Sequence, residues 1–234
     1  MTLRKTDLPT NCHLISFDSL DSTNEEAKKL ASGGAKSGTV VWAREQVLGR
    51  GRYGRTWDSP YGNLYLSIIQ RPTCFPSDAT QLGFVTGVAL AEALLSICNI
   101  EIALKWPNDI IFYGKKLGGI LCENLGNYSI SGVGLNITNK VLSPNSITLT
   151  SKGVKFSYSL FLSSFLSNFE RLFAESSDEI ISNFEHFDTL IGQEVFWETN
   201  QGVAQSIAED GSLVVETSNK ILNLHAEEVH LEKE

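Results

Sequence analysis

The sequence has few cysteines, and none of them stands near another. No Cys-x-x-Cys pair occurs among the four, whereas a zinc site needs closely spaced thiols and a disulfide framework needs a short, cysteine-dense chain. We therefore expect reduced thiols, as in a cytoplasmic protein, at Cys12, Cys74, Cys98 and Cys122.

The chain also lacks long apolar runs and an excess of positive charge. No stretch approaches the roughly 18 consecutive apolar residues of a membrane span, and no apolar leader follows Met1. Lysine and arginine total 19 against 27 aspartates and glutamates, so the formal net charge is -8. We expect no membrane segment, and this acidic balance disfavours a protein that coats nucleic acid.

What is present fits a globular α+β protein. Of the 234 residues, 42% are hydrophobic and 20% are charged, which suits one or two domains that bury roughly 70 to 75% of the unfolded chain's surface. A helix beginning near Ser22 is predicted to end at Gly33 and Gly34. Apolar periodicity predicts strands at 14–17, 39–43, 64–69, 102–112, 117–123 and 129–136, and helices at 78–99, 157–175 and 177–187.

One short stretch alternates glycine with arginine. Residues 49–57 read Gly-Arg-Gly-Arg-Tyr-Gly-Arg-Thr-Trp; glycine amides can converge on an oxyanion, and arginine forks can bind phosphate or carboxylate. The run matches neither the phosphate loop that ends in Gly-Lys-Ser/Thr nor the dinucleotide fingerprint. Two interpretations therefore stay open, an anion-binding loop and a surface loop with solvated charges.

The cluster at the start of the first helix also has two interpretations. Ser22 and Glu25 have the spacing of a capping box. Two hydroxyls and an amide at Ser22, Thr23 and Asn24 can equally face a ligand at a helix start.

A third polar cluster interrupts the strand predicted at 102–112. The proline of Lys-Trp-Pro-Asn-Asp at 105–109 removes a ladder donor and disturbs the strand. The segment is either a plain hairpin or a kink that directs Lys105, Asn108 and Asp109 at a ligand or a metal.

Two adjacent predicted strands carry glycines in their interiors. Gly118 and Gly119 lie in one, and Gly132 and Gly134 lie in the next. A strand glycine weakens packing but lets another group lie against the backbone. One such strand is often a bulge, whereas two adjacent ones with Lys116 at the entrance favour a pocket for a flat ligand.

Taken in chain order, these motifs closely resemble those of biotin protein ligases. The resemblance implies the catalytic fold of the biotinyl and lipoyl ligases at 1–187. This fold is a mixed β-sheet flanked by helices and is similar to that of class II synthetases. It also implies a small SH3-like β-barrel at 188–234, where short alternating strands and turns at 200–202 and 209–211 are predicted. The motifs are Asp-Ser-Thr-Asn (21–24), Gly-Arg-Gly-Arg-x-Gly-Arg-x-Trp (49–57), Lys-Trp-Pro-Asn-Asp (105–109), Lys-Leu-Gly-Gly-Ile-Leu-x-Glu (116–123) and Gly-Val-Gly-Leu-Asn (132–136).

The resemblance further implies a biotin--[biotin carboxyl-carrier protein] ligase. Such an enzyme activates biotin with ATP as biotinyl-5'-AMP and then transfers it to a lysine of a biotin carboxyl carrier protein domain in a biotin-dependent carboxylase. Mg2+ would arrive with ATP rather than on dedicated protein ligands, with Asp109 a weaker candidate for a metal role.

The site residues are carried over from the same resemblance. Arg52 and Lys116 would be catalytic, and Trp57 would either contact the nucleotide or anchor the loop. The biotin contacts would be Ser22, Thr23, Asn24, Gln46, Arg50, Gly51, Arg52, Lys116, Gly118, Gly119 and Gly132. The nucleotide contacts would be Arg52, Arg55, Trp57, Lys105, Asn108, Asp109 and Asn136.

Two other functions remain open. A lipoate ligase or octanoyl transferase of the same fold also acylates a carrier lysine, although the Gly-Arg-Gly-Arg loop favours biotin. A non-catalytic nucleotide or nucleic-acid binding module is the second alternative. Only about 13 residues precede the first predicted strand, too few for the amino-terminal helix-turn-helix of some relatives, so we expect no DNA binding. Sheet edges leave a homodimer open.

Overall fold

A mixed β-sheet forms the centre of the protein. The computed structural model describes residues 8–9, 11–71, 79–138, 143–225 and 227–232, so Cys74 lies outside the described residues. The strands of this sheet are β1 (His13–Leu20), β2 (Thr39–Gln46), β3 (Leu64–Gln70), β4 (Ala103–Lys105), β5 (Asp109–Phe112), β6 (Lys115–Asn124) and β7 (Ser129–Leu135). Within the described ranges they form one seven-stranded sheet in the order β1-β2-β3-β7-β6-β5-β4. β1 is parallel to β2, and the other pairs are antiparallel.

Helices cover both faces of this sheet because side chains alternate along the strands. In β2, Val40 and Trp42 join one buried cluster, whereas Val41 joins the other. The helices are α1 (Thr23–Ser32), α2 (Ala79–Cys98), α3 (Tyr158–Leu172) and α4 (Ser177–Phe187). α1 contacts β2, β3 and β7, and α2 contacts β6 and β7 and also packs against α3 and α4. The predicted mixed sheet with flanking helices is confirmed.

Helix α2 is apolar on nearly all sides because the protein encloses it. Every residue from Gln81 to Ala91 is buried. A helix that is hydrophobic all round belongs in a core or a membrane; α2 is long and apolar enough to cross a membrane, but 72% of its most apolar window is buried inside the protein. The helix predicted at 78–99 is found at Ala79–Cys98, and residue 78 lies outside the described residues.

The capping box predicted at the start of α1 is wrong. Ser22 occupies the N-cap position, but its side chain makes no capping hydrogen bond. Glu25 instead forms ion pairs with Lys28, at 2.8 Å, and with Arg50, at 2.7 Å. Two nearby cations draw its carboxylate away from the helix start, and the Ser22 hydroxyl is left to face the site.

The polar break predicted at 102–112 is a hairpin. β4 and β5 pair antiparallel, with Lys105 opposite Asp109, so the chain reverses at 106–108 instead of resuming in the same direction. The turn still lines the cavity described below. The hairpin interpretation is correct for the backbone, and it places these polar residues beside one another at one end of the sheet.

The carboxy-terminal part is an antiparallel sheet. Its strands are β8 (Glu194–Trp197), β9 (Asn200–Ile207), β10 (Leu213–Glu216) and β11 (Ile221–Leu224), in the order β11-β10-β9-β8. The turn predicted at 200–202 is wrong, because the chain reverses at Glu198, whose φ is 48°, and Gly202 lies inside β9. The described residues form an open sheet of four strands, so the SH3-like barrel stays a prediction, as does the domain boundary at 188.

Asp188 ties this carboxy-terminal part to the hairpin. Its Oδ2 accepts a hydrogen bond from the Trp106 backbone N–H (3.1 Å), and its Oδ1 accepts from the backbone N–H groups of Leu190 (2.7 Å) and Ile191 (3.0 Å). Burial raises the pKa of the Asp188 carboxyl, although the three donors lower it. The three N–H groups thus offset part of the cost of desolvating this carboxylate. The indole N–H of Trp106 also donates to the Gly211 carbonyl (3.0 Å).

Replacing Asp188 by alanine is expected to lower the free energy of unfolding by about 3 kcal/mol, because three partly buried N–H groups lose their acceptor. Chemical denaturation measures this directly. Asp178→Ala is the control: Asp178 lies exposed in the first turn of α4, where its loss is expected to cost less than about 1 kcal/mol. Equal destabilisation by the two variants would contradict this role of Asp188.

Candidate active site

A cavity of about 330 Å3 lies at the end of the sheet where the glycine strands, the hairpin and the Gly/Arg loop at 49–57 meet. Its size is at the lower end of the range for small-molecule sites. With one exception, the predicted site residues line it: Ser22, Thr23, Asn24, Gln46, Arg50, Gly51, Arg52, Arg55, Trp57, Lys105, Asn108, Asp109, Lys116, Gly119, Gly132 and Asn136. Sequence motifs that are distant along the chain therefore converge on one cavity.

Gly118 is the exception, because it does not line the cavity, and its contact with biotin stays a prediction. A Cβ at this position would meet the Gly134 carbonyl oxygen and the side chains of Ile110 and Leu135, so Gly118 faces the packed side of β6. Its neighbour Gly119 faces the cavity. Successive residues of a strand point to opposite faces, so only one member of the Gly-Gly pair can line the site.

A hydrogen-bonded network forms the floor of the cavity. Gln46 Oε1 accepts from the backbone N–H of Thr23 (2.8 Å) and lies 3.1 Å from Thr23 Oγ1, and Gln46 Nε2 donates to Ser59 Oγ (2.8 Å). The hydroxyl of Ser67, a fully buried residue, lies 2.8 Å from Thr23 Oγ1 and donates to Asn24 Oδ1 (2.6 Å). Ser22, Thr23 and Asn24 are each only 4% exposed. The network holds the start of α1 rigidly against the sheet.

Asn24 is locked at the other end of this network. Its Nδ2 donates to the Leu121 carbonyl (3.1 Å) and to Glu123 Oε2 (2.8 Å), which uses both of its donors. Because these bonds are internal, Asn24 shapes the floor of the cavity, and its contact with biotin stays a prediction. Gly132 is required beneath it, since a Cβ there would overlap Asn24 Oδ1.

Trp57 anchors the Gly/Arg loop onto the glycine strands. A Cβ at Gly134 would lie 2.5 Å from Trp57 Nε1, and one at Gly119 would lie 3.5 Å from its ring. The loop itself is tied by hydrogen bonds from the Trp57 N–H to the Gly49 carbonyl (2.9 Å) and from the Gly51 N–H to the Arg55 carbonyl (2.7 Å). The tryptophan ring therefore packs against the strand glycines. Gly134, which was not predicted as a site residue, is part of this contact.

Cationic side chains gather at the mouth of the cavity. Lys116 Nζ lies 2.5 Å from Asp109 Oδ1 and 5.6 Å from the centre of the Trp57 ring. Arg52 Nη1 donates to Asn108 Oδ1 (3.2 Å), and its guanidinium stacks over Tyr53. Asn108 in turn donates to the Ile120 carbonyl (3.1 Å). Lys116 and Arg52 are thus held by the hairpin on two sides of the cavity mouth.

The other two arginines of the loop are paired with carboxylates. Arg50 is bonded to Glu25 at 2.7 Å, and Arg55 makes a two-pronged pair with Glu228 at 2.8 and 2.5 Å. The hydrogen bond from Arg55 holds the pKa of Glu228 below its usual value, and the hydrogen bond from Lys28 does the same for Glu25. Both carboxylates are therefore charged at neutral pH, and their ion pairs weaken only as the pH falls through these lowered pKa values.

Some lining residues escaped sequence reasoning. No motif marks Glu228, which is 173 residues from its partner Arg55, so no local signal could have found it. The other unpredicted lining residues that lie outside the five motifs are Asp58, Ser143, Ser146 and Val229. Tyr53 and Thr56 stand within the recognised loop motif but carried no assigned role.

The fold and the cavity define a class of protein. The cavity has a hydrogen-bonded floor and cationic side chains at its mouth. It is suited to a small ligand with polar groups at one end and negative charge at the other. The family model for the Biotin/lipoate A/B protein ligase family matches residues 16–137. The chain belongs to that family.

Individual relatives agree with this assignment. The chain is 47% identical over 109 residues to the biotin--[acetyl-CoA-carboxylase] ligase of Paracoccus denitrificans, covering 46% of this chain and 45% of that protein. It is 30% identical over 221 residues to the bifunctional ligase/repressor BirA of Escherichia coli, covering 84% of this chain and 67% of that one. Some matches thus span less than half of the curated relative.

A solved structure matches nearly the whole fold. It is the biotin protein ligase from Aquifex aeolicus in complex with biotin and ATP, which is similar with a TM-score of 0.81 and 29% identity over 95% of this chain and 99% of that one. The match includes the carboxy-terminal sheet as well as the mixed sheet.

Proposed function

We propose that this chain is an ATP-dependent biotin protein ligase. It would activate biotin as biotinyl-5'-AMP and transfer it to a lysine of a biotin carboxyl carrier protein domain. The observation that best supports this is the convergence of residues from all five motifs on one cavity. The Aquifex ligase that matches this fold was solved with the two substrates of that reaction.

The proposed first step joins two anions. A carboxylate oxygen of biotin attacks the α-phosphorus of ATP, an acyl phosphate bond forms, and pyrophosphate leaves with the electrons of the broken P–O bond. Lys116 and Arg52 would neutralise these charges and hold the groups in line. The floor near Ser22 and Thr23 would receive the ureido ring. Trp57 and the loop at 49–57 would keep water from the anhydride.

Magnesium would bind with the nucleotide and neutralise its phosphates. Mg2+ on a nucleotide typically uses one or two carboxylates together with phosphate oxygens and water. Asp109 and Asn136 line the cavity and offer such oxygens. Among the described residues, there is no group of three or more His, Cys, Asp or Glu side chains that could hold a metal ion.

The surroundings of the enzyme are part of the same proposal. We place it in the cytoplasm, with a biotin-dependent carboxylase as its acceptor and no requirement for DNA or a membrane. The edge strand β1 leaves room for a homodimer.

The test is pyrophosphate release from ATP and Mg2+ with biotin, lipoate and octanoate in parallel. Release with biotin alone, followed by a mass increase on the acceptor lysine of a purified carrier domain, is the expected result. Release with lipoate or octanoate instead would replace the proposal by the rival ligase. Absence of release with all three acids would favour a binding module.

A further inference from the structure

A second cavity lies behind the Arg52–Asn108 pair. Its volume is about 180 Å3, which is below the range of drug-sized ligand sites and is suited to a single side chain. The two cavities meet along a shared wall of five residues, Arg52, Pro107, Asn108, Ile120 and Leu121. The hydrogen bond from Arg52 to Asn108, at 3.2 Å, therefore lies between them.

The other described residues around the second cavity are mostly small. They are Ala79, Thr80, Gly83, Cys122 and His225, and none of these five is a carboxylate. Gly83 opens the wall on the side of α2, because the nearest atom to a Cβ there would be the Pro107 carbonyl oxygen, 3.9 Å away. The space is thus a narrow channel with a cationic end at Arg52.

Biotin transfer needs a second way into the site. The inference here rests on the proposed function: while biotinyl-5'-AMP fills the larger cavity, the acceptor amine must reach the acyl carbon by a route that the adenylate does not block. Arg52 is a candidate residue for binding at that acyl phosphate end, and it forms part of both cavities. Among the described residues, the second cavity adjoins Arg52 from the other side of this shared wall.

We propose that the second cavity admits the side chain of the acceptor lysine. The four methylene groups of lysine pack on the small apolar walls, and the nitrogen arrives beside Arg52 and Asn108. An apolar wall and a neighbouring cation both disfavour the ammonium form, so the amine enters neutral. Its lone pair forms a C–N bond to the acyl carbon, the acyl C–O bond breaks, AMP leaves with that electron pair, and the extra proton on nitrogen passes to water.

Filling the channel tests the proposal. Gly83→Leu places a side chain in the second cavity from the α2 wall, and Ala79→Leu does so from a half-buried position on the same helix. For each variant, adenylate formation is measured as pyrophosphate release with biotin. Transfer is then measured in a single turnover from preformed biotinyl-5'-AMP to a purified biotin carboxyl carrier domain.

We expect transfer to slow by at least about tenfold in both leucine variants, with adenylate formation within about twofold of wild type. Gly83→Ala is the size comparison, because its methyl group meets nothing closer than 3.9 Å, and it should slow transfer less than either leucine variant does. Normal transfer in both leucine variants would overturn the inference, and so would an equal loss of both steps. Failure of wild type to form the adenylate would instead count against the proposed function.

Discussion

Replacing Lys116 by alanine is expected to slow biotinyl-5'-AMP formation by about 100- to 1,000-fold while leaving the fold intact. Its ammonium group lies in the cavity mouth between Asp109 and the Trp57 ring, where the charges of ATP and biotin would meet. The side chain is 35% exposed, and pairs at such positions contribute little to folding. The free energy of unfolding should change by less than about 1 kcal/mol.

The neighbouring residue supplies the control for this variant. Lys115 is exposed, and its Nζ lies 3.4 Å from the Pro144 carbonyl oxygen, away from the cavity. Lys115→Ala carries the same change of charge one position earlier in β6, so its rate of pyrophosphate release should stay within about twofold of wild type. Normal turnover by a folded Lys116→Ala, judged by circular dichroism, would remove Lys116 from the catalytic pair.

Adding one methyl group at Gly132 should damage both the site and the fold. A Cβ there would overlap Asn24 Oδ1 and lie 3.0 Å from the Leu121 carbonyl oxygen. Asn24 cannot move aside without losing its bonds to Ser67, Leu121 and Glu123. We expect Gly132→Ala to lower the free energy of unfolding by about 2 kcal/mol and to weaken biotin binding by about 100-fold, because the cavity floor shifts.

Gly119→Ala is the control, because it also replaces a strand glycine by alanine but creates no overlap with Asn24. Gly119 also faces the cavity, but a Cβ there would lie 3.5 Å from the Trp57 ring and 3.7 Å from Lys116, which is ordinary contact. Its melting temperature should match that of wild type, whereas that of Gly132→Ala should fall by several degrees. Calorimetry and titration with biotin measure the two effects. A Gly132→Ala variant as stable as Gly119→Ala would show that the Asn24 network adjusts freely.

Much of the fold could be predicted from local patterns. Short apolar runs predicted the strands of the mixed sheet, and apolar positions at helical spacing predicted the long helices, because both patterns follow from burial in a core. The local predictions failed where a side chain binds a residue that is distant along the chain or lies on another element. Glu25 has capping-box spacing, but Lys28 and Arg50 bind it more strongly than the helix start does.

The candidate site was predictable as a set of residues but not as a set of contacts. Gln46 and Asn24 were both assigned to biotin through the resemblance to biotin protein ligases. In the structure their amides bond to Thr23, Ser59, Leu121 and Glu123, so they build the floor. Spacing along the chain does not reveal whether a buried amide is satisfied by protein or left open for a ligand.

The sequence by itself determined the helices and strands, the order of the motifs and the residues that could bind anions. Apolar periodicity, glycine conformation and arginine charge can all be recognised from local sequence. Only the tertiary structure decided which of Gly118 and Gly119 faces the cavity, because that depends on the register of β6 against β5 and β7. It also decided that Glu228 holds Arg55 and that Asp188 holds Trp106. These contacts join residues that are distant along the chain, and packing alone brings them together.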